Sequence, residues 1–288
     1  MRKKGLLQGV IKRWKERGFE HAFSYSLGRF RTIRSLTRLY GRLIGPQKHY
    51  DYGRSIFSGI QPEEILNGLE KDSFFPDFNL PQSHLGRILA HAKNEKCLST
   101  LRKTRHGYFY SEKNDLQKRL SGVFIRGQYV NPALRCPAIA EIQEDPLVLE
   151  VASRFLGRNP RKVSTQLFWS YAVKADDEDR LNRKQTILFH YDVAGLFFIY
   201  FNFYLTEADS QSGPHVLVRG SHRRKKWKYL FSSANCSDEE IEKQYGRKNI
   251  LPIYGKPGFG FVEDASCFHK ATPPISKDRL FLQVRMWV

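Results

Sequence analysis

Metal-binding residue types recur in this chain at spacings that let them act together. His190 and Asp192 stand two apart in Phe189-His190-Tyr191-Asp192. On an extended segment such residues point to the same side, so both can face one ion. His269, in Cys267-Phe268-His269-Lys270, offers a third ligand between apolar runs that read as strands. Two imidazoles and one carboxylate on a single face, with open positions opposite, form the ligand set of a non-heme iron(II) oxygenase. His-x-Asp alone is a weak signal. The same residues would serve a zinc hydrolase or a buried structural cluster. His215 and His222 are further imidazoles that could compete for the ion.

Such a face has to be carried on strands. After Asn159-Pro160 the hydrophobic pattern changes from the helical period to alternation, which predicts strands over 163–173, 185–190, 196–205, 215–219, 250–253, 259–263, 268–271 and 279–288. In the third of these, Phe197, Ile199, Phe201, Phe203 and Leu205 share an apolar face opposite Tyr200, Asn202 and Tyr204. In the last, Leu280, Leu282, Val284 and Met286 oppose Arg279, Phe281, Gln283 and Arg285. An inward arginine without an anion is costly, so two on one strand face need a reason. Gln166, Phe168 and Ser170 share a face of the first strand, and Asp176–Asp179 reads as an acidic loop.

Before these strands the pattern is helical, over 19–44, 62–71, 80–97, 138–142 and 146–156, with a later helix at 238–245. Residues 99–135 are basic and show no clear period. Helices first and hairpin-spaced strands afterwards predict an α+β chain with a β-sandwich or barrel core.

Composition narrows the class. With 288 residues, 41% hydrophobic and 14% aromatic, the chain can bury a large core. Cys97, Cys136, Cys236 and Cys267 are scattered, with no CxxC pair. That argues against a disulfide framework and for the reducing cytoplasm. No stretch reads as a secretory leader, and the longest apolar run, 193–205, is too short to span a bilayer as a helix.

The formal net charge is +19. Residues 1–48 contribute +11 of it, with 13 Lys and Arg against Glu16 and Glu20. Two amphipathic stretches lie there. Leu6, Leu7, Val10, Ile11 and Trp14 form the first, and the second runs from Phe19 to Ile44 with arginines between its apolar positions. Basic amphipathic helices of this kind lie in membrane interfaces, and they also pack on a domain with a solvated basic face. Both readings stand. Nucleic acid is the weaker partner, because the arm has no base-reading module.

His190, Asp192, His269 and Arg279 together resemble the phytanoyl-CoA dioxygenase (PhyH)-like family of Fe(II)/2-oxoglutarate-dependent oxygenases, whose fold is a cupin-like jelly roll, the double-stranded β-helix. Four motifs occur in family order. They are His190-Tyr191-Asp192, the segment Ser212 to His222 ending in Arg219-Gly220-Ser221-His222, the segment Gly258 to Asp264 leading to His269, and Arg279 ten residues beyond that histidine. Arg219 stands where the family commonly has proline, a departure that bears on one turn. The resemblance covers residues from Pro146 to the C-terminus, more faintly from Ile60, and excludes the arm.

The resemblance implies His190, Asp192 and His269 as iron ligands, with 2-oxoglutarate and O2 taking the open positions. It implies Arg279 as the partner of the far carboxylate of 2-oxoglutarate, for which a planar guanidinium is suited. Arg285 shares the strand face and is the alternative anchor. Asn202 and Gln166 can add neutral hydrogen bonds to the cosubstrate. His215 and His222 belong to a turn motif and fall outside the ligand set. Trp169, Tyr171 and Tyr200 can line the pocket or simply pack the core.

Residues 1–48 are thus expected as a basic arm, and 49–288 as an oxygenase domain with flanking helices. The activity implied is hydroxylation of an aliphatic carbon of a small, carrier-linked or lipid- or glycan-linked metabolite, releasing succinate and CO2. The alternative is a non-catalytic jelly-roll binding protein using its arm on anionic membrane or nucleic acid. The expected location is cytoplasmic, with peripheral membrane contact left open.

Overall fold

The computed structural model describes residues 14–15, 18–44, 48–99, 107–119, 124–182, 185–231 and 235–288. The first amphipathic stretch therefore lies outside the described residues, Trp14 apart. Helices α1 (Phe19–Leu27), α2 (Arg31–Ile44), α3 (Pro62–Asp72), α4 (Gln82–Asn94), α5 (Lys113–Arg119), α6 (Pro132–Arg135), α7 (Pro137–Gln143) and α8 (Pro146–Leu156) come first. Helices α9 (Asp177–Asn182), α10 (Trp227–Phe231) and α11 (Asp238–Tyr245) fall between later strands.

The strands are β1 (Phe74–Phe75), β2 (Leu98–Ser99), β3 (Arg126–Gln128), β4 (Lys162–Ser170), β5 (Phe198–Tyr204), β6 (His215–Val218), β7 (Ile250–Ile253), β8 (Gly260–Glu263), β9 (His269–Ala271) and β10 (Arg279–Trp287). Among the described residues they form two antiparallel sheets, ordered β1-β8-β5-β10-β4-β3-β2 and β7-β6-β9.

Alternation decides which way each face of the large sheet turns. Leu167, Ile199, Phe201, Phe203, Leu280, Leu282, Val284 and Met286 pack on one side with Ile65, Ile88, Ile139, Val148 and Val151 from α3, α4, α7 and α8. The other side meets the small sheet through Tyr204, Phe261 and Phe281 against Leu217 and Ile253. Two antiparallel sheets joined by their side chains are what a jelly roll requires.

Helix α8 illustrates how the scaffold is set locally. Asp145 caps it by accepting from the Leu147 and Val148 amides at 2.9 and 3.2 Å, a feature worth about 1 kcal/mol. Pro146 starts it, where no intrahelical amide bond is lost, and Gly157 ends it at φ 79°. A Cβ at Gly157 would lie 2.5 Å from the Arg38 carbonyl, so this glycine also lets α2 approach α8 closely.

Three expectations are corrected. The pattern over 19–44 is two helices, broken where Gly28 passes Gly195 so closely that a Cβ would lie 2.5 Å from its carbonyl. The acidic loop holds helix α9, which Asp176 caps through the Asp179 amide at 2.7 Å. Residues 185–190 form no ladder. They hold the sheet edge through isolated pairings, Phe189 with Cys236 and His190 with His269.

Candidate metal centre

The His190–His269 pairing brings the two candidate ligands together despite the missing ladder. Each backbone amide donates to the other residue's carbonyl, at 2.9 and 2.7 Å. Asp192 follows two residues later, its amide donating to the Ala265 carbonyl at 2.9 Å. As a result one ligand atom each from His190, Asp192 and His269 lies within 4.8 Å of the others.

The rings are preset for coordination. His190 Nδ1 lies 3.0 Å from the Leu188 carbonyl and His269 Nδ1 3.1 Å from the Cys267 carbonyl. A carbonyl only accepts, so each Nδ1 carries a proton, which leaves Nε2 as the ring's ligand atom. Burial, reinforced by His190, holds His269 down to about 4, which keeps it neutral at physiological pH. On Asp192, burial favours the protonated form, while His269, His190, Arg285 and the Tyr200 hydroxyl favour the charged one; the net direction is down. The Tyr200 hydroxyl donates to Asp192 Oδ2 at 2.9 Å, leaving Oδ1 on the His190 side, 3.8 Å from Nε2.

A second cluster, Glu263, Cys267 and His269, is also close-set. It is wholly buried, and burial pushes the Cys267 thiol well up, so the sulfur stays protonated. His269 turns its Nδ1 toward this side, 3.6 Å from Glu263. It is a buttress beneath the metal face.

His215 opens strand β6, and His222 lies in the turn that follows it. His215 Nε2 lies 3.2 Å from Glu263 Oε1, and His222 Nε2 lies 3.2 Å from the Glu70 carbonyl. In the same turn Ser221 Oγ accepts from the Phe268 amide at 2.7 Å, bracing the strand that carries His269. Arg219, in place of proline, uses the amide that proline lacks, donating to the Asn249 carbonyl at 2.8 Å.

The inner face of the large sheet carries a hydrogen-bonded row. Arg285 donates to Gln283, Gln283 to Asn202 at 2.7 Å, and Asn202 to Glu263 at 3.3 Å. A guanidinium only donates and an ionised carboxylate only accepts, so the charged ends fix both amide orientations. Gln166 extends the row on the other side of Arg285, accepting from Arg285 at 3.0 Å and from Arg126 at 3.1 Å. Asn202 thus commits both its oxygen and its nitrogen, and Gln166 its oxygen, within the chain.

Arg279 differs. It is 4% exposed, and its Nε and Nη1 have no hydrogen-bond partner among the described residues. Burial pushes it down from its ordinary value, with only Tyr204 beside it in compensation. A buried guanidinium with vacant donors, set among the Tyr204 and Phe281 rings, fits a carboxylate ligand. Trp169 and Tyr171 face away, into the helical core, whereas Tyr200 belongs to the site. A cleft of about 370 Å3 lined by Asn67, Lys71, Phe75 and Arg219 contains none of the site residues.

Four participants were not singled out by the sequence reading: Glu263, Gln283, Arg126 and Asp264. The first two were detectable as polar residues on inward positions of alternating strands. Asp264 pairs with Arg34 of α2, whose Nη2 lies 2.9 and 3.1 Å from its oxygens. They are 230 positions apart, and no local signal announces that pair.

No protein-family model matches the sequence, and no curated protein matches it. Solved structures do. AviO1 from Streptomyces viridochromogenes Tue57 aligns over 80% of this chain and 96% of its own, at 12% identity and TM-score 0.51. The epimerase SnoN in complex with Fe3+, alpha ketoglutarate and nogalamycin RO aligns over 78% of this chain and 83% of its own, at 14% identity and TM-score 0.50. EctD from S. alaskensis with 2-oxoglutarate and 5-hydroxyectoine aligns over 85% of this chain and 83% of its own, at 15% identity and TM-score 0.50. At these identities the likeness is one of fold.

Proposed function

We propose that the chain is an Fe(II)/2-oxoglutarate-dependent oxygenase that hydroxylates an aliphatic carbon. One observation carries this reading: a preset His-His-Asp face shares its sheet interior with Arg279, a buried guanidinium that no carboxylate among the described residues neutralises. His190, Asp192 and His269 would hold the metal, and Arg279 the far carboxylate of the cosubstrate. Iron(II) with 2-oxoglutarate and O2 supplies an oxidant for a C–H bond, with succinate and CO2 as co-products.

The chain's own groups do the positioning. The Leu188 and Cys267 carbonyls fix the two ring tautomers. Tyr200 holds one oxygen of Asp192 so that the other is the ligand. Glu263, bonded to His215 and Asn202, sits behind His269 as a fixed negative charge. Because SnoN is an epimerase, the fold alone does not choose the outcome; the retained carboxylate of Asp192 supports hydroxylation over halogenation.

The test is anaerobic addition of iron(II) and 2-oxoglutarate, followed by the metal-to-ligand charge-transfer band. The band is expected in wild type and absent in His269→Ala. Its absence from wild type, or its survival in the variant, contradicts the site. Succinate formed above the uncoupled background then identifies substrates from a panel.

The partner reading has its own support. Among the described residues no helix is long and apolar enough to cross a membrane. Helix α2, however, turns Arg34 inward and apolar residues outward, with Leu36, Leu39, Tyr40 and Leu43 between 53% and 76% exposed. Arg31 and Arg42 are exposed on the same helix. We infer peripheral contact with an anionic membrane through this face, and with it a lipid-linked substrate. Paired Leu36→Ser and Leu43→Ser substitutions, which spare Arg34, should abolish flotation with anionic vesicles. Unchanged flotation would sink the idea.

A further inference from the structure

We propose that Arg126 and Arg285 form a second anion site, apart from Arg279, which receives a carboxylate or phosphate group of the substrate. This rests on the iron and 2-oxoglutarate reading, since it assigns the remaining arginines of that same interior.

The two guanidiniums reach inward from β3 and β10, the strands flanking β4, and converge on one neutral acceptor between them, Gln166 Oε1. One shared amide oxygen, with Gln283 as a second neutral acceptor for Arg285, leaves the pair short of negative charge. Neither makes an ion pair with a carboxylate among the described residues, and Arg126 Nε is buried without a hydrogen-bond partner. Elsewhere the chain supplies the counter-charge itself, as with Arg34 and Asp264 or Lys113 and Asp278.

Arg126 is also held in place. Its guanidinium lies 3.6 Å from the centre of the Phe168 ring, a cation–π contact that keeps it against the inner face. Burial, with Arg285 adding repulsion, pushes it down to about 10. Like charges held together in a half-buried place persist at a cost that a bound oxyanion would relieve. Two planar forks presented from the strands on either side of β4 match the bidentate geometry of a carboxylate or phosphate.

The pair adjoins the metal face. Arg285 is in register with Tyr200, lies 5.1 Å from the centre of its ring, and acts electrostatically on Asp192, to which Tyr200 donates. Arg279 is six residues along the same strand, about 20 Å away at the usual rise. A substrate anchored at Arg126 and Arg285 would present a carbon of its own to the metal while 2-oxoglutarate uses Arg279.

The experiment uses full-length protein with Fe(II) and saturating 2-oxoglutarate under anaerobic conditions and constant ionic strength. Thermal unfolding is followed while inorganic phosphate is added, with acetate in a parallel arm. Expected is a saturable rise in Tm in at least one arm, the stronger arm naming the group. Arg126→Gln and Arg285→Gln should each weaken that response about tenfold or more, with 2-oxoglutarate affinity within about twofold of wild type.

Gln166→Glu guards against a variant that fails to fold. It places a carboxylate between the two guanidiniums, and should raise the Tm without added anion and abolish the response to it. The proposal is overturned by no saturable response in either arm, or by a response that none of the three substitutions changes. It is equally overturned if 2-oxoglutarate affinity collapses in Arg285→Gln, or if phosphate competes with 2-oxoglutarate and only Arg279→Gln removes its effect. Loss of the charge-transfer band in wild type with the anion response intact would instead defeat the oxygenase reading and leave this site standing.

Discussion

Arg34 and Arg279 are almost equally sealed from solvent, 5% and 4% exposed, yet their surroundings are opposite. Arg34 meets the Asp264 carboxylate with two contacts and the Ser266 hydroxyl with a third. Arg279 meets aromatic rings, and two of its nitrogens have no partner among the described residues. Burial makes a charge costly in both places. Where the chain provides the counter-ion, the arginine fastens one element to another, here α2 to the loop that precedes His269. Where it provides only amides and rings, the arginine is left for an anion from outside. Arg126 and Arg285 belong with Arg279.

The largest effect should come from breaking the fastened pair. Arg34→Ala strands a buried carboxylate and should cost about 3–5 kcal/mol in urea unfolding, most of it recovered by Arg34→Met combined with Asp264→Leu. A cost no greater than that of an exposed ion pair would erase the distinction.

Next is Tyr200→Phe, which removes the donor orienting Asp192. Iron(II) affinity should fall about 10- to 100-fold, as for outer-shell partners of metal ligands generally. Stability should change by only about 1 kcal/mol, the usual worth of one hydrogen bond. A purely structural tyrosine would lose stability and leave iron affinity unchanged.

A pH-dependent effect concerns His222, beside the fastened pair. Burial holds its imidazole down to about 4 against an ordinary 6.5. The folded state therefore binds fewer protons than the unfolded between those values. This contribution is complete above pH 6.5 and is lost as pH falls toward 4, by about 1.4 kcal/mol per pH unit. Replacing His222 with Gln should flatten the pH dependence of the urea midpoint by that slope; an unchanged slope would mean that the imidazole is already free to protonate.

The smallest expected change is in the stability of Arg279→Gln without cosubstrate. Removing an unneutralised buried charge should leave the urea midpoint unmoved or slightly raised. A loss on the scale of Arg34→Ala would mean that Arg279 already has its partner within the chain.

The inner and outer faces of β5 and β10 were legible because alternation is strict there and a one-residue slip would bury Arg285 in the helical core. The triad was legible for a related reason: His190 and Asp192 are two apart, and His269 lies in a short strand. What escaped reading depends on contacts between distant residues. The break at Gly28 is set by the passage of Gly195, and no period in residues 19–44 records it. Arg126 lies in a segment without pattern, and its role emerges only when β3 joins β4. The amphipathicity of α2 was readable, but not that Arg34 turns in, which requires Asp264 to be waiting for it.

The central claim is that Arg279, rather than Arg285, is the vacant partner of the cosubstrate. It is tested by titrating 2-oxoglutarate anaerobically into Fe(II)-loaded wild type, Arg279→Gln and Arg285→Gln and following the charge-transfer band. Arg279→Gln should weaken binding about tenfold or more, and Arg285→Gln should stay within about twofold of wild type. Full affinity in Arg279→Gln with the loss appearing in Arg285→Gln would contradict the account.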